Sequence, residues 1–290
     1  MCVYIPIMPN NFIHKIKILD KLETISKFKV YFLPILLPQI CLLCNKSYNN
    51  RSLCAQCLMD LPPSMPIGVN WIFAIYNYAN PNIKKIIHNF KYYNKKTLIR
   101  DMIEHINLKP IGISGYLSGH MNKYSELFEK RNTYFYIINK YIEFNKLEGV
   151  KNVILVPVPL SPDRQIIRGY NQSEIIANTL LNILNKNKIE KDNKDNHIKE
   201  KIIFIKVNLL LRKKITVKLA QTSNIDERAT LLNDSFQFNN NEFENINTMD
   251  NIYVLIDDVT TTGSTLYAAR KCMIQNGIES KYIIAIAIAH

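Results

Sequence analysis

Asp257 and Asp258 stand side by side at the end of the apolar run YVLI, directly before the hydroxyl-rich stretch TTTGST. Carboxylates so placed can accept hydrogen bonds from sugar hydroxyls, balance a developing positive charge, or hold a hard cation such as Mg2+. The stretch that follows supplies Thr261, Thr262, Gly263, Ser264 and Thr265 and leads into helix-forming sequence, LYAARKCMIQ. The start of a helix offers backbone N–H groups without internal acceptors and the positive end of the helix dipole, so it attracts anions. Gly263 lets the backbone turn closely around such an anion, and the neighbouring hydroxyls add donors. Two carboxylates beside a phosphate repel it unless something lies between. A ribose ring fills that gap, with its phosphate on the loop and its hydroxyls on the aspartates, and Mg2+ can help bridge. A pair that merely capped the helix would use one aspartate and leave the second carboxylate and four hydroxyls idle. The sequence contains neither G-x-x-x-x-G-K-[ST] nor G-x-G-x-x-G, which removes the usual nucleoside-triphosphate and dinucleotide loops. The residues read as a ribose-5-phosphate cradle.

A second constellation points to a metal. CLLCNKSYNNRSLCAQC places Cys41, Cys44, Cys54 and Cys57 as two C-x-x-C pairs. Each pair can form a tight knuckle with both sulfurs on one side, and two knuckles complete a tetrahedral thiolate site suited to Zn2+. An iron–sulfur cluster accepts the same four thiolates. Because protein fills all four positions, a zinc ion here is structural rather than catalytic. Cys2 and Cys272 have no such partners.

Several elements must position these groups. KNVILVPVPL, NIYVLID and KYIIAIAIA are apolar, β-branched runs that read as buried strands, and WIFAIYNY and IIFIKVN read as further strands. Between them, PNIKKIIHNFKYYNKKTLIRDMIEHI, SEIIANTLLNILN and Leu266–Gln275 have helical spacing. Fully apolar strands alternating with helices predict an α/β fold, a mostly parallel sheet covered by helices on both faces. The organisation expected along the chain is a leader over 1–37 with an amphipathic helix around Asn11–Phe28, a four-cysteine module over 38–66, and the α/β domain over 67–290. That domain carries probable insertions at 111–148 and at the low-complexity, charged stretch 185–200, which reads as a surface loop.

IDDVTTTGST resembles the phosphoribosyl-pyrophosphate loop of type I phosphoribosyltransferases. Together with CLLC…CAQC, FKYYNKKTL and VPVPLSPDRQIIRGYNQSEIIAN, it makes the chain similar to the ComF/GntX family of competence and DNA-utilisation proteins. The resemblance implies a type I phosphoribosyltransferase-like fold, with Asp257 and Asp258 catalytic and residues Thr261 to Thr265 on the ribose phosphate. It implies that VPVPLSPDR holds the pyrophosphate, with Arg164 and Arg168 as cations beside it and Mg2+ as the accompanying ion. Lys91 matches a lysine of the family pattern without an assigned role, and Arg212, Gln221 and Arg228 match a basic flap segment. Ser161 stands where the family usually has a histidine.

The composition bears on partners. With 37 Lys+Arg against 24 Asp+Glu, the formal net charge is +13, which favours anionic partners such as phosphorylated ligands or nucleic acid. No secretory signal is legible, and FLPILLPQICLLC is too short and too proline-broken to span a bilayer, so a cytoplasmic protein without membrane contact is expected. Two functions stay open. One is a phosphoribosyltransferase using phosphoribosyl pyrophosphate. The other is a non-catalytic competence protein that keeps the cradle, associates with single-stranded DNA and DNA-processing competence proteins, and stacks bases on aromatics such as Trp71, Tyr92 and Tyr93.

Overall fold

The computed structural model of the chain describes residues 40–47, 51–64, 67–108, 133–192, 202–213, 235–246 and 250–290. The expected helix at Asn11–Phe28 and the basic segment holding Gln221 and Arg228 lie outside them. The chain divides into two compact units, Met1–Cys54 and Ala55–His290.

The second unit is built on five parallel strands in the order β1 (Ile72–Tyr76), β7 (Ile283–Ala289), β6 (Asn251–Val259), β2 (Asn152–Pro157) and β3 (Ile203–Lys206). Strands β2, β6 and β7 are buried almost end to end, as runs such as NVILVP and IIAIAIA require when a sheet has protein on both faces. Burying each such Ile, Val or Leu contributes roughly 1.5–3 kcal/mol, and their sum drives the sheet to the centre of the unit.

Two crossovers fix where a ligand can bind. Strand β2 leads through α5 (Pro162–Arg168) and α6 (Gln172–Asp192) to β3 on one side, whereas β6 leads through α8 (Ser264–Gln275) to β7 on the other. Right-handed crossovers running in opposite directions put α6 and α8 on opposite faces of the sheet. The sheet's winding therefore reverses between β2 and β6, and the crevice beyond their carboxyl ends is where open α/β sheets bind ligands. Ile256 lies beside Pro157 and Asp257 beside Ala287, so both candidate loops leave from this crevice.

Helices α1 (Ala55–Met59), α2 (Pro81–Tyr92), α3 (Lys96–Leu108), α4 (Thr133–Phe144) and α7 (Asn240–Glu244) complete the described set. Helix α2 begins where Asn80 accepts from the N–H groups of Asn82 and Ile83 and Pro81 fills the first turn; it buries Ile83, Ile86, Ile87 and Phe90. A two-stranded antiparallel ribbon, β4 (Leu210–Arg212) with β5 (Phe236–Phe238), stands apart from the main sheet. Among the described residues no helix is long and apolar enough to cross a membrane.

Three local readings differ from the structure. Residues 162–168, which lie between the expected strand KNVILVPVPL and the expected helix SEIIANTLLNILN, form α5, because Pro162 opens the helix and Gly169, at φ 74°, closes it in the left-handed region. Helix α6 continues through Asp192, so the stretch expected as a loop from 185 begins as helix; residues 185–192 lack glycine and proline and include three Lys and one Glu, which helices tolerate well. Trp71 is 5% exposed, meets Tyr267 edge-on at 5.0 Å and lies beneath the Arg270 guanidinium at 4.4 Å. It is a core residue and is not available to stack bases.

Candidate functional site

The cysteine cluster starts from a tight turn. Asn45, at φ 59°, lets its N–H reach the Cys41 carbonyl at 3.0 Å, and the Cys41 N–H donates to the Lys46 carbonyl at 2.9 Å. The Cys54 N–H points at the Cys41 Sγ at 3.4 Å, and Cys57 lies in α1. All four sulfurs lie within 4.8 Å of one another, with Cys44 and Cys54 Sγ 3.8 Å apart. A tetrahedron with Zn–S bonds of about 2.3 Å has edges of about 3.8 Å, so donor type and spacing both fit a structural zinc ion. Burial raises the Cys41 thiol, but hydrogen bonds from the backbone of Cys44, Cys54 and Leu43 and from the Cys44 side chain more than offset it and bring it down to about 6. A thiol so biased toward thiolate is prepared for a metal.

At the crevice, Asp257 and Asp258 are the seventh and eighth residues of β6, so successive side chains leave on opposite sides of the strand. Asp257 Oδ1 accepts from Ser173 Oγ at 3.2 Å and from the Asp258 N–H at 2.8 Å. Asp258, 7% exposed, pairs through Oδ2 with Lys91 Nζ of α2 at 3.1 Å. Burial and the neighbouring Asp258 charge push the Asp257 carboxyl up to about 7, against the pull of its hydrogen bonds and of Lys91. Asp257 keeps partial contact with solvent, so a ligand can reach it.

The loop after β6 is tied down at both ends. The Thr260 N–H donates to the Ala289 carbonyl at 3.0 Å, and His290 Nε2 lies 3.0 Å from the Thr261 carbonyl oxygen. Gly263 caps α8 at φ 75°, and a Cβ there would sit 3.2 Å from both Ile72 Cδ1 and the Tyr267 ring, so glycine is required twice over. The Thr262 and Ser264 hydroxyls lie 3.1 Å apart and exposed, Thr261 is exposed, and Thr265 is partly so. The five residues thus line an accessible helix start next to the acidic pair.

Across the crevice, Arg164 is exposed on α5, while Arg168 is engaged: its Nη1 donates to Gln172 Oε1 at 2.9 Å and its guanidinium lies 5.4 Å from the Tyr92 ring centre. Asn171 shapes the turn between α5 and α6, donating to the Val158 carbonyl at 3.1 Å and accepting from the Ser173 N–H at 3.1 Å. Ser161 precedes α5 without a side-chain cap bond. Arg212 of β4 rests on the Phe236 ring at 4.3 Å; burial and nearby Arg164 lower its affinity for the proton, and Asp257 acts the other way. The basic strand segment and the acidic pair therefore share one electrostatic neighbourhood. Sequence reasoning gave Lys91 no role and passed over Ser173, although both lie in stretches that carried the family resemblance.

Two outcomes are expected. A zinc-loaded preparation contains one zinc per chain, released on thiol titration, and Cys41→Ser lowers that content to near zero by metal analysis. Separately, an Asp257 carboxyl raised to about 7 means that the folded state binds this proton more tightly than the unfolded chain. Its stabilising contribution is full below the ordinary carboxylate pKa of about 4 and is lost as pH rises through about 7. Urea unfolding across that window should show stability declining, and Asp257→Asn should flatten the decline.

No protein-family model matches the chain. It is 30% identical over 134 residues to Competence protein ComFC of Bacillus subtilis (strain 168), a stretch covering 46% of this chain and 43% of that protein. The match thus spans less than half the length of that curated relative. Over that stretch this chain, a parallel α/β protein with four cysteines gathered as the C-x-x-C pairs predict, is similar to a ComF-type competence protein.

Proposed function

We propose that the crevice between β2 and β6 binds the ribose-5-phosphate part of phosphoribosyl pyrophosphate, and that the protein is a cytoplasmic, phosphoribosyltransferase-like protein of the ComF family serving natural competence or DNA utilisation. The observation that carries this reading is the junction of an acidic pair, one member of which is still reachable by solvent, with an exposed, hydroxyl-lined helix start at the sheet's switch point. The phosphate is held by the amides and hydroxyls of Thr261 to Thr265, and the ribose hydroxyls donate to Asp257 and Asp258. Arg164 faces the pyrophosphate, with Mg2+ as the ion that hard phosphate oxygens recruit; Arg168 shapes the turn that presents it.

In transfer, the bond from the anomeric carbon to pyrophosphate breaks as the acceptor's lone pair forms the new bond. The carbon passes through a positively charged stage that the two carboxylates stabilise. Zinc at Cys41, Cys44, Cys54 and Cys57 is structural in this scheme and takes no part in the chemistry.

A second reading has its own support. Tyr92 and Tyr93 are 55% and 63% exposed beside Arg168, with His88 5.0 and 5.6 Å from their rings, an aromatic and basic surface on which single-stranded DNA bases stack. In that role the protein works with other DNA-processing competence proteins and keeps the cradle for sensing.

Calorimetric titration with phosphoribosyl pyrophosphate and Mg2+ separates the two. The first reading predicts saturable binding that the Asp257→Ala/Asp258→Ala variant loses. Absence of binding by the intact protein would exclude it, leaving salt-dependent oligonucleotide binding as the property to measure.

A further inference from the structure

Helix α2 reaches the acidic pair from outside both motif loops. It ends at Tyr92, and its last turn carries Lys91, where a cation also complements the helix dipole. The Lys91–Asp258 contact is 3.1 Å, with side chains only 18% and 9% exposed, so water screens it little. Among the described residues Lys91 is the cation within ion-pair range of the aspartates.

Its position is over-determined. Phe90 is fully buried, and its carbonyl accepts the Tyr170 hydroxyl, whose ring lies 5.9 Å from the Phe90 ring. Arg168 lies over Tyr92 at 5.4 Å and Lys96 over Tyr170 at 4.8 Å. The same turn that makes these contacts sends Ser173 to Asp257. Contacts therefore close a ring from Lys91 to Asp258, through Asp257 and Ser173 to Tyr170, and back to Phe90.

We propose that Lys91 is a positioning residue of the ribose-phosphate site: the counter-ion that pairs with Asp258 and offsets the acidic pair's repulsion of an incoming phosphate ester. The inference rests on the ribose-phosphate reading of the crevice. Lys91 meets Asp258 at Oδ2, 3.1 Å away. Without the ammonium, Asp258 loses the cation in ion-pair contact with it while the acidic pair still meets an anionic ligand. An uncompensated charge in a poorly solvated site is the costly arrangement, whereas removing both charges of a buried pair is often tolerated.

The test uses full-length, zinc-loaded protein and ribose 5-phosphate without Mg2+. Lys91→Met is expected to weaken binding by about tenfold or more, and Lys91→Arg, which restores the charge, to recover most of that loss. Thermal unfolding of ligand-free Lys91→Met, Asp258→Asn and the double variant gives the coupling directly. The double variant is expected to be at least as stable as Lys91→Met alone, and a Lys91→Met chain that fails to fold while the double variant folds counts for the same ion-pair role. Lys91→Met binding as tightly as the parent, Lys91→Arg failing to recover affinity, or strictly additive losses in unfolding temperature would overturn the proposal. An intact protein that does not bind ribose 5-phosphate would instead overturn the reading of the crevice itself, and this inference with it.

Discussion

Two carboxylates on consecutive residues of a buried strand repel each other, and much of the surrounding structure answers that repulsion. Asp258 is met by an ammonium at 3.1 Å and Asp257 by a hydroxyl at 3.2 Å, while the Asp257 proton is held to about 7. Each answer comes from a different element: Lys91 from α2, Ser173 from the start of α6. Their convergence depends on α2 and the turn before α6 being locked together, and the Tyr170 hydroxyl on the Phe90 carbonyl does that. The ligand proposed above, a polyhydroxyl with a phosphate next to it, would meet both halves of the crevice.

Topology puts the crevice there. Since β2 winds toward β3 and β6 toward β7, the loops after β2 and β6 diverge to opposite faces and leave a gap above the sheet. The segment carrying Arg164 follows β2 on one side of that gap, and Thr261 to Thr265 follow β6 on the other. Gly263 eases the course of the second segment, because its left-handed backbone would strain most other residues and its Cβ direction is crowded by Ile72 and Tyr267. The cysteine cluster meets a different need. With sulfurs spaced like a tetrahedron's corners, it can order a short knuckle that has little apolar surface to bury.

Much of this was legible in the sequence because it is written locally. Two C-x-x-C pairs define a thiolate site by spacing, and Ile-rich runs such as IIAIAIA can scarcely be anything but buried strand. The junction of IDD with TTTGST is likewise contiguous. What could not be read depends on distance along the chain or on elements too short to carry a period. Ser173 meets Asp257 across 84 positions, and no local pattern announces such a contact. The three-residue strands at Leu210 and Phe236 are too brief for an alternation to stand out, so the ribbon that brings Arg212 toward Arg164 went unread. An indole beside an apolar run looks the same on paper whether it stacks on a base or, as Trp71 does here, packs against Tyr267 and Arg270. Helix α5 was hidden by its loop-like proline and glycine, which turned out to be its start and stop.

The proposed function requires one ligand to bridge the acidic pair and the helix start. A crystal structure with ribose 5-phosphate bound decides whether it does. The phosphate is expected within hydrogen-bond distance of the amides of residues 261–265, with the ribose hydroxyls on Asp257 and Asp258. A ligand whose phosphate sits elsewhere, or whose hydroxyls touch neither aspartate, would contradict it.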